Sequence, residues 1–596
     1  MVGGHGVNLL PALVDYLQGT TGRETAGQRD ALSLLTGDHL LVHLEDGRYL
    51  PVPLDRIQRI ADALVELFDR DGLNEHQALR LPATQAGRLA QLALEPNAPS
   101  LQSDDPTLLN LVDAVKGFSS IEPLAAPAHF QATLRPYQEQ GLGWLQFLRR
   151  HGLGGILADD MGLGKTVQTL AHLLIEKQQD RLHKPSLIVA PVSVLGNWQQ
   201  EIRRFAPGLG LLILHGAKRK KSFADIDSAD IIIIGYPLLL LESEMLLGRE
   251  FCFVILDEAQ MIKNPQAKVS QVARALCAEH RLCLTGTPME NHLRELWSLF
   301  DFVQPGLLGE RQQFERHYRT PIENGGDTKR AAALSRRIQP FLLRRTKDAV
   351  AQDLPPRIQI VEPIELDERQ RDFYDGIRLG QHQRVREAIK QQGLSRSHIT
   401  VLDALLKLRQ ACCDPRLIKP DAQTQVIPSA KLDWLATMLP ELIAEGRRIL
   451  LFSQFTSMLR LIETVVKDLS ISYCVLTGET RQRTELVKGF QAGGVSLFLI
   501  SLKAGGTGLN LTAADTIIHY DPWWNPAVEA QASDRAHRIG QDKPVFVYKL
   551  IAQRTVEEKI MQLQADKQAL VSQLYAEKGA SRSQLSSADL EALFAP

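Results

Sequence analysis

The stretch Gly154–Thr166, GGILADDMGLGKT, sets a short apolar run before a loop that closes on Gly162, Gly164, Lys165 and Thr166, and Thr166 opens the helical pattern TVQTLAHLLIEK. A strand that ends in such a loop and feeds a helix aims free backbone N–H groups at an anion, with a lysine and a hydroxyl beside them. A bare Gly-Lys-Ser/Thr tripeptide arises by chance in roughly one chain in four of this length, so the strand–loop–helix context carries the reading. The general phosphate-loop pattern has glycine where Asp159 stands.

Outward from this loop, the apolar runs GGILAD, SLIVAP, DIIIIGY, FCFVILDEA and RLCLTGTP alternate with helical stretches up to Pro288. Such alternation predicts a parallel sheet covered by helices. A second series, RRILLFSQF, SYCVLTG, VSLFLIS, TIIHYD and VFVYKLIA, repeats the pattern from about residue 430 to 555. Between the two, LRELWSLFDFVQ through LDALLKLRQACC reads as helical with almost no strand signal. Near the start, HLLVHLEDGRYLPVPL reads as a hairpin turning at Asp46-Gly47, followed by an amphipathic helix through IQRIADALVELF. The fold class is therefore α/β: two parallel-sheet lobes with helical insertions and a small N-terminal accessory module. The expected divisions are 1–127 for that module and its linker, 128–350 for lobe one with a helical insertion near 292–340, 351–428 for a linker and helical protrusion, 429–575 for lobe two, and 576–596 for a C-terminal tail.

A chain of 596 residues with 44% apolar and 23% charged residues has room for several cores and is not mainly disordered. Its 68 basic and 69 acidic residues leave a net charge of -1, so any grip on nucleic acid must come from a local basic surface. No apolar run reaches the roughly 18 residues of a membrane span, and MVGGHGVNLL lacks a basic-then-apolar leader. The expectation is a soluble protein with no membrane partner. The six cysteines show no paired CxxC blocks, which argues against a zinc finger and for buried free thiols.

CFVILDEAQ, residues 252–260, delivers two adjacent carboxylates to the carboxyl end of a strand, where ligand sites of parallel sheets lie. Beside a phosphate loop, Asp257 would help hold a magnesium ion that also contacts Thr166. Glu258 would polarise the attacking water, and Lys165 would neutralise the β- and γ-phosphates. In QASDRAHRIGQ, Arg535 and Arg538 lie three apart, on one face of a helical turn, so that two guanidinium groups can reach one phosphate.

In order along the chain, LRPYQEQGLGWL, DDMGLGKT, IVAPVSVLGNWQQE, DEAQ, LTGTPMEN, FLLRRTK, LLFSQF, SLKAGGTGLNLTAADTIIHYDPWWNP and QASDRAHRIGQ resemble the motifs of the Swi/Snf family of DNA-translocating ATPases, over the span from Leu134 to about Glu558. The resemblance implies two RecA-like lobes that hydrolyse ATP with Mg2+ in the cleft between them and track along double-stranded DNA without separating its strands. It implies nucleotide contacts by Gln138, at the adenine edge, by the loop residues Asp160, Met161, Gly162, Leu163, Gly164, Lys165 and Thr166, and by Gln531. Asp257 and Glu258 would hydrolyse ATP, and Arg535 and Arg538 would complete the site. Ser193, Thr285, Lys503, Gly505, Gly506 and Trp524 would serve the DNA-tracking groove, with Thr285 and Thr287 coupling it to the nucleotide. Trp523 is as readily a core residue.

DEAQ carries Gln260 where many relatives have histidine, and no chromatin-reading or RING module is recognisable after the second lobe. A compact bacterial member is implied, cytoplasmic and nucleoid-associated, acting on a DNA-bound protein load such as RNA polymerase, with no need for an oligomer. GGHGVNLLPALVDYL begins inside a patterned segment, so Met1 is expected to be a truncated or alternative start. Two other readings differ in kind. An RNA helicase of the same superfamily would share the loop and the acidic pair but usually carries a tighter arginine-glycine-arginine arrangement where this chain has DRAHRIGQ. A catalytically dead DNA-binding scaffold has no need to keep Lys165, Asp257, Glu258, Arg535 and Arg538 together.

Overall fold

The computed structural model describes three short strands within residues 35–53 and then residues 121–564, apart from 217–218, 290–291, 352, 393–396, 419–426, 506–508, 524 and 563. The early strands β1 (Leu35–Thr36), β2 (His39–His43) and β3 (Tyr49–Pro53) pair antiparallel, with His43 opposite Tyr49. The expected hairpin pairing is present; its turn at Asp46-Gly47 and the helix expected after it lie outside the described residues.

Lobe one is built on a seven-stranded parallel sheet of β4 (Gly155–Leu157), β5 (Ser186–Ala190), β6 (Leu211–Leu214), β7 (Ile231–Gly235), β8 (Glu250–Asp257), β9 (Cys277–Leu284) and β10 (Leu342–Leu343). Their spatial order is β10-β4-β9-β8-β5-β7-β6. Ile231 to Ile234 and Val254 to Leu256 are fully buried, as strands covered by helices on both faces must be. Lobe two has a six-stranded parallel sheet of β11 (Arg357–Ile364), β12 (Ile449–Ser453), β13 (Tyr473–Leu476), β14 (Leu497–Ser501), β15 (Thr516–His519) and β16 (Val545–Ala552), in the order β11-β16-β15-β12-β14-β13.

Of the thirteen strands in the two lobe sheets, ten fall on the apolar runs read from sequence; β6, β10 and β11 do not. β11 corrects the expectation that the intervening stretch is helical: RIQIVEPI pairs with β16 over eight residues, from Arg357 opposite Val545 to Ile364 opposite Ala552. As an edge strand it leaves Arg357, Ile358 and Gln359 exposed and tolerates Pro363, so its apolar signal is weak. The rest of that stretch is largely helical, with the helices Glu368–Gln392 and His398–Cys413 packed on each other and on Val556 and Ile560. Cys277 is exposed and Cys474 partly so, against the expectation of burial; β9 starts at Cys277, where the sheet meets solvent. Among the described residues no helix is long and apolar enough to cross a membrane.

Lobe two is pinned by a fully buried charge pair. Lys431, on the helix Ala430–Ala444, donates to both Glu557 oxygens at 2.8 and 2.7 Å and to the carbonyls of Tyr520 and Leu550 at 2.9 Å. Glu557 also accepts the Ala552 N–H at 2.8 Å. This network fastens the ends of β15 and β16 to the helix that precedes β12. Removing one partner of such a pair strands the other charge at a cost of about 3–5 kcal/mol. Lys431→Met should therefore shift the unfolding transition of lobe two sharply downward in a thermal or urea melt, and combining it with Glu557→Gln should recover most of the loss.

Candidate functional site

The loop after β4 owes its shape to two glycines and its footing to one buried carboxylate. Gly162 and Gly164 have φ of 87° and 80°, a region that favours glycine. Space imposes the same choice: a Cβ on Gly162 would stand 2.6 Å from Cβ of Arg538, and one on Gly164 2.5 Å from Nε2 of Gln138. Gly164 caps the helix Lys165–Gln178, and Lys165 Nζ donates to the Asp159 carbonyl at 2.6 Å. Asp159, standing where the pattern has glycine, is fully buried beneath the loop. Its carboxylate accepts from Arg345 Nε at 2.8 Å, from Arg345 Nη2 and from Gln168 Nε2 at 3.1 Å. Arg345 also donates to Gln168 Oε1 at 2.8 Å and to the Tyr137 carbonyl. Arg345 therefore supports the loop from below, a role that residue-by-residue reading missed although FLLRRTK was visible as a motif. The Gln138 amide is engaged at both ends, Oε1 by Arg135 N–H at 2.9 Å and Nε2 by the Leu163 carbonyl at 3.0 Å.

β8 ends at Asp257, and Glu258 follows in the left-handed region at φ 51°. Asp257 Oδ2 accepts from Trp198 Nε1 at 2.8 Å and Oδ1 from the Glu258 N–H at 2.9 Å. Burial, and then the Glu258 carboxylate, push the Asp257 carboxyl up to about 7, against the pull of Trp198 and Lys165. Two adjacent carboxylates that resist sharing negative charge are hard oxygen donors suited to a small divalent cation, which commonly takes one or two carboxylates together with substrate phosphates. The Thr166 hydroxyl meets Glu201, whose carboxyl is raised by burial and drawn down by Asn197, Arg538 and Thr166. Glu201 is a second neighbour that sequence reading did not single out.

From Glu258 a relay of hydrogen bonds leads across to lobe two. Gln260 Nε2 donates to Glu258 Oε2 at 2.8 Å, and its Oε1 accepts from Thr285 Oγ1 at 2.9 Å. Thr285 Oγ1 in turn accepts the Thr287 N–H at 3.0 Å, and Thr287 Oγ1 accepts from Gln531 Nε2 at 3.4 Å. The amide of Gln260 supplies the donor and the acceptor that this position needs at once.

The helix carrying Gln531, Pro526–Ser533, ends before the two arginines, so they do not share a helix face as expected. Arg535 and Ala536 instead donate three residues back, to the Ala532 and Ser533 carbonyls, and the chain tightens into turns. Both arginines nevertheless face the lobe-one loop. Arg535 is only 4% exposed, its Nη2 lies 3.8 Å from Met161 Sδ, and its Nε has no hydrogen-bond partner. Met161 is wedged beside Gly286, and Asp160, whose carboxyl burial pushes up, accepts the Lys347 N–H.

Of the residues expected at the DNA groove, Ser193 lies just after β5 and is half-buried, and Lys503 lies just after β14 and is exposed. Both occupy the carboxyl ends of parallel strands. Gly505 ends the short helix Leu502–Gly505, whereas Gly506 and Trp524 lie outside the described residues. Thr285 is fully buried, and its hydroxyl donates to Gln260 and accepts the Thr287 N–H. Trp523 packs against the lobe-two core, with Arg409 5.4 Å from its ring and its backbone N–H donating to Glu529 Oε1 at 2.6 Å.

Residues 137–417 match the family model of the SNF2-related domain, and residues 430–540 match that of the helicase conserved C-terminal domain. YwqA of Bacillus subtilis (strain 168), whose name assigns it provisionally to the ATP-dependent helicases/translocases, is 41% identical over 479 residues, 78% of this chain and 51% of YwqA. The ISWI chromatin-remodeling complex ATPase ISW1 of Saccharomyces cerevisiae is 35% identical over 456 residues, covering 73% of this chain and 40% of that protein. This chain thus spans about half the length, or less, of these curated relatives. Among solved structures, the Sulfolobus solfataricus SWI2/SNF2 ATPase core in complex with dsDNA is 37% identical, over 75% of this chain and 93% of that one, with a TM-score of 0.39. The two consecutive family models settle the kinship: the chain belongs to the SNF2-related family, with an SNF2-related domain followed by a helicase conserved C-terminal domain.

Proposed function

We propose that this chain is an ATP-dependent translocase on double-stranded DNA, which hydrolyses ATP between its lobes and displaces DNA-bound proteins without separating the strands. The observation that carries the reading is the approach of Arg535 and Arg538 from lobe two onto the phosphate loop of lobe one, with the Arg535 Nε buried and unpartnered. A guanidinium cannot shed its proton to escape burial, so a site built this way calls for an anion.

The residues divide the work by charge. Lys165 now spends its ammonium on the Asp159 carbonyl and can exchange that bond for phosphate oxygens. Glu258, held by Gln260, orients the attacking water and takes its proton. Thr166 and Asp257 would hold Mg2+, which supplies charge neutralisation at the phosphates when bound. Arg535 and Arg538 stabilise charge on the phosphoryl group, a contribution worth about 10³ to 10⁵ in rate. The relay from Glu258 to Gln531 lets the carboxylate sense whether lobe two is in place.

Duplex DNA as the track is supported by the Sulfolobus relative, solved with dsDNA, and by Ser193 and Lys503 at matching strand ends of the two lobes. A motor that must pass every sequence grips phosphates, which position without reading bases. The load would be a DNA-bound protein such as RNA polymerase, met at the nucleoid.

Glu258→Gln should bind ATP normally yet slow its hydrolysis by about 10²-fold or more, checked by nucleotide binding beside turnover; hydrolysis at the parental rate would remove Glu258 from its role. Arg538→Ala should lower kcat far more than it raises KM, because the arginine acts when the lobes close. The direct test of function compares ATP turnover with duplex DNA, single-stranded DNA and RNA, and then offers a triplex and a forked duplex. We expect duplex DNA to stimulate most, and ATP to drive release of the third strand while the fork stays paired. Efficient fork unwinding, or stimulation by RNA above duplex, would overturn the reading.

A further inference from the structure

The turn that carries Arg535 and Arg538 is not held by its own lobe alone. The helix Pro526–Ser533 ends at Asp534, and the partial negative charge of a helix C-terminus adds to that carboxylate. The cation that answers it comes from the FLLRRTK segment after β10. Lys347 is 6% exposed, and its Nζ donates to Asp534 Oδ1 at 2.6 Å and to the His537 carbonyl. Its backbone N–H donates to Asp160 Oδ2 in the phosphate loop at 3.0 Å. One residue thus grips the phosphate loop by its main chain and the arginine turn by its side chain.

The places it grips matter. Asp534 and His537 are the residues immediately before Arg535 and Arg538, so the two anchor points set where both arginine side chains begin. The same strap adds two weaker ties: His537 Nε2 lies 2.9 Å from the Pro355 carbonyl, and Arg357 lies 3.8 Å from Asp534 Oδ1. A compact ammonium with three rotatable donors serves a carboxylate and a carbonyl on one turn.

We propose that Lys347 is a positioning residue for the arginine pair: it fixes the 534–538 turn against the phosphate loop, so that Arg535 and Arg538 meet the transferring phosphoryl group in register. It touches neither the nucleotide loop's phosphate-facing amides nor the reacting atoms; its effect passes through the two arginines. The inference rests on the proposed ATPase reading of the same site.

The test is a double-mutant cycle on ATP turnover at saturating duplex DNA, measured under single-turnover conditions with enzyme in excess. Lys347→Met keeps the length and the apolar stem but removes the charge. It should lower the saturating single-turnover rate constant on the order of tenfold, with the half-saturating concentration within about threefold, in line with couplings between groups that share one network. In a background of Arg535→Ala with Arg538→Ala, the same substitution should cause no further loss. A further loss of similar size there would overturn the proposal, because a lysine that merely held the fold would act whether or not the arginines were present. Asp534→Asn breaks the same pair from the finger side and should reproduce the non-additive pattern; it decides the matter if Lys347→Met melts too early to assay, and an additive result from it counts equally against the proposal. Absence of ATP turnover by the parental protein with any nucleic acid would defeat the ATPase reading itself, whereas parental turnover with additive losses defeats the role of Lys347 alone.

Discussion

A guanidinium that cannot deprotonate, buried at a junction with one nitrogen unpartnered, is the constraint around which this molecule is arranged. Arg535 is stripped of water by both lobes; its Nη2 lies against the soft sulfur of Met161, its Nε has no hydrogen-bond partner, and the Glu258 carboxylate attracts it from lobe one. An incompletely satisfied buried charge is costly, and that cost is tolerated where a ligand later meets it. Gly162 has to be glycine for a related reason. Its left-handed backbone and the Arg538 Cβ that would lie 2.6 Å from any side chain there act together, so one residue answers to both lobes. Turn and finger are therefore specified jointly.

Around this junction the polar groups form separate supports, each spanning a long distance in sequence. Arg345 holds Asp159 under the phosphate loop across 186 residues, and Lys347 reaches Asp534 across 187. These two lie in one short segment, so the strap leaving lobe one braces the loop with one side chain and the arginine turn with another. Lys431 and Glu557 do comparable work inside lobe two, where four acceptor atoms surround a single ammonium. Contacts of this kind are directional and short in range. Of the three, only Lys347–Asp534 joins the two lobes; the other two each hold one lobe's own arrangement.

The glutamine of DEAQ shows how a departure from a family pattern can be read physically. A side chain between a carboxylate and a hydroxyl must donate to the first and accept from the second, and the Gln260 amide does both at 2.8 and 2.9 Å. Coupling between the acidic pair and lobe two is thereby kept. The same relay runs through Thr285, whose one hydroxyl both donates and accepts inside the protein.

Sequence by itself determined the two parallel sheets, because buried parallel strands are near-continuous apolar runs such as IIII at 231–234 and ILLF at 449–452, separated by helical periods. It also determined the loop residues and the acidic pair, since these sit at strand ends where local pattern and position coincide. What it missed lacked such a local cause. β11 is half-exposed and is a strand only because β16 offers it an edge. The buried Asp159 was out of pattern until Arg345 was seen beneath it, and the two arginines left the helix face because their turn is fastened from outside by Lys347 and the Pro355 carbonyl. Periodicity reports how a segment meets its own neighbours and the solvent; which distant charge answers a buried one is decided only when the chain has folded and water has been removed from between them.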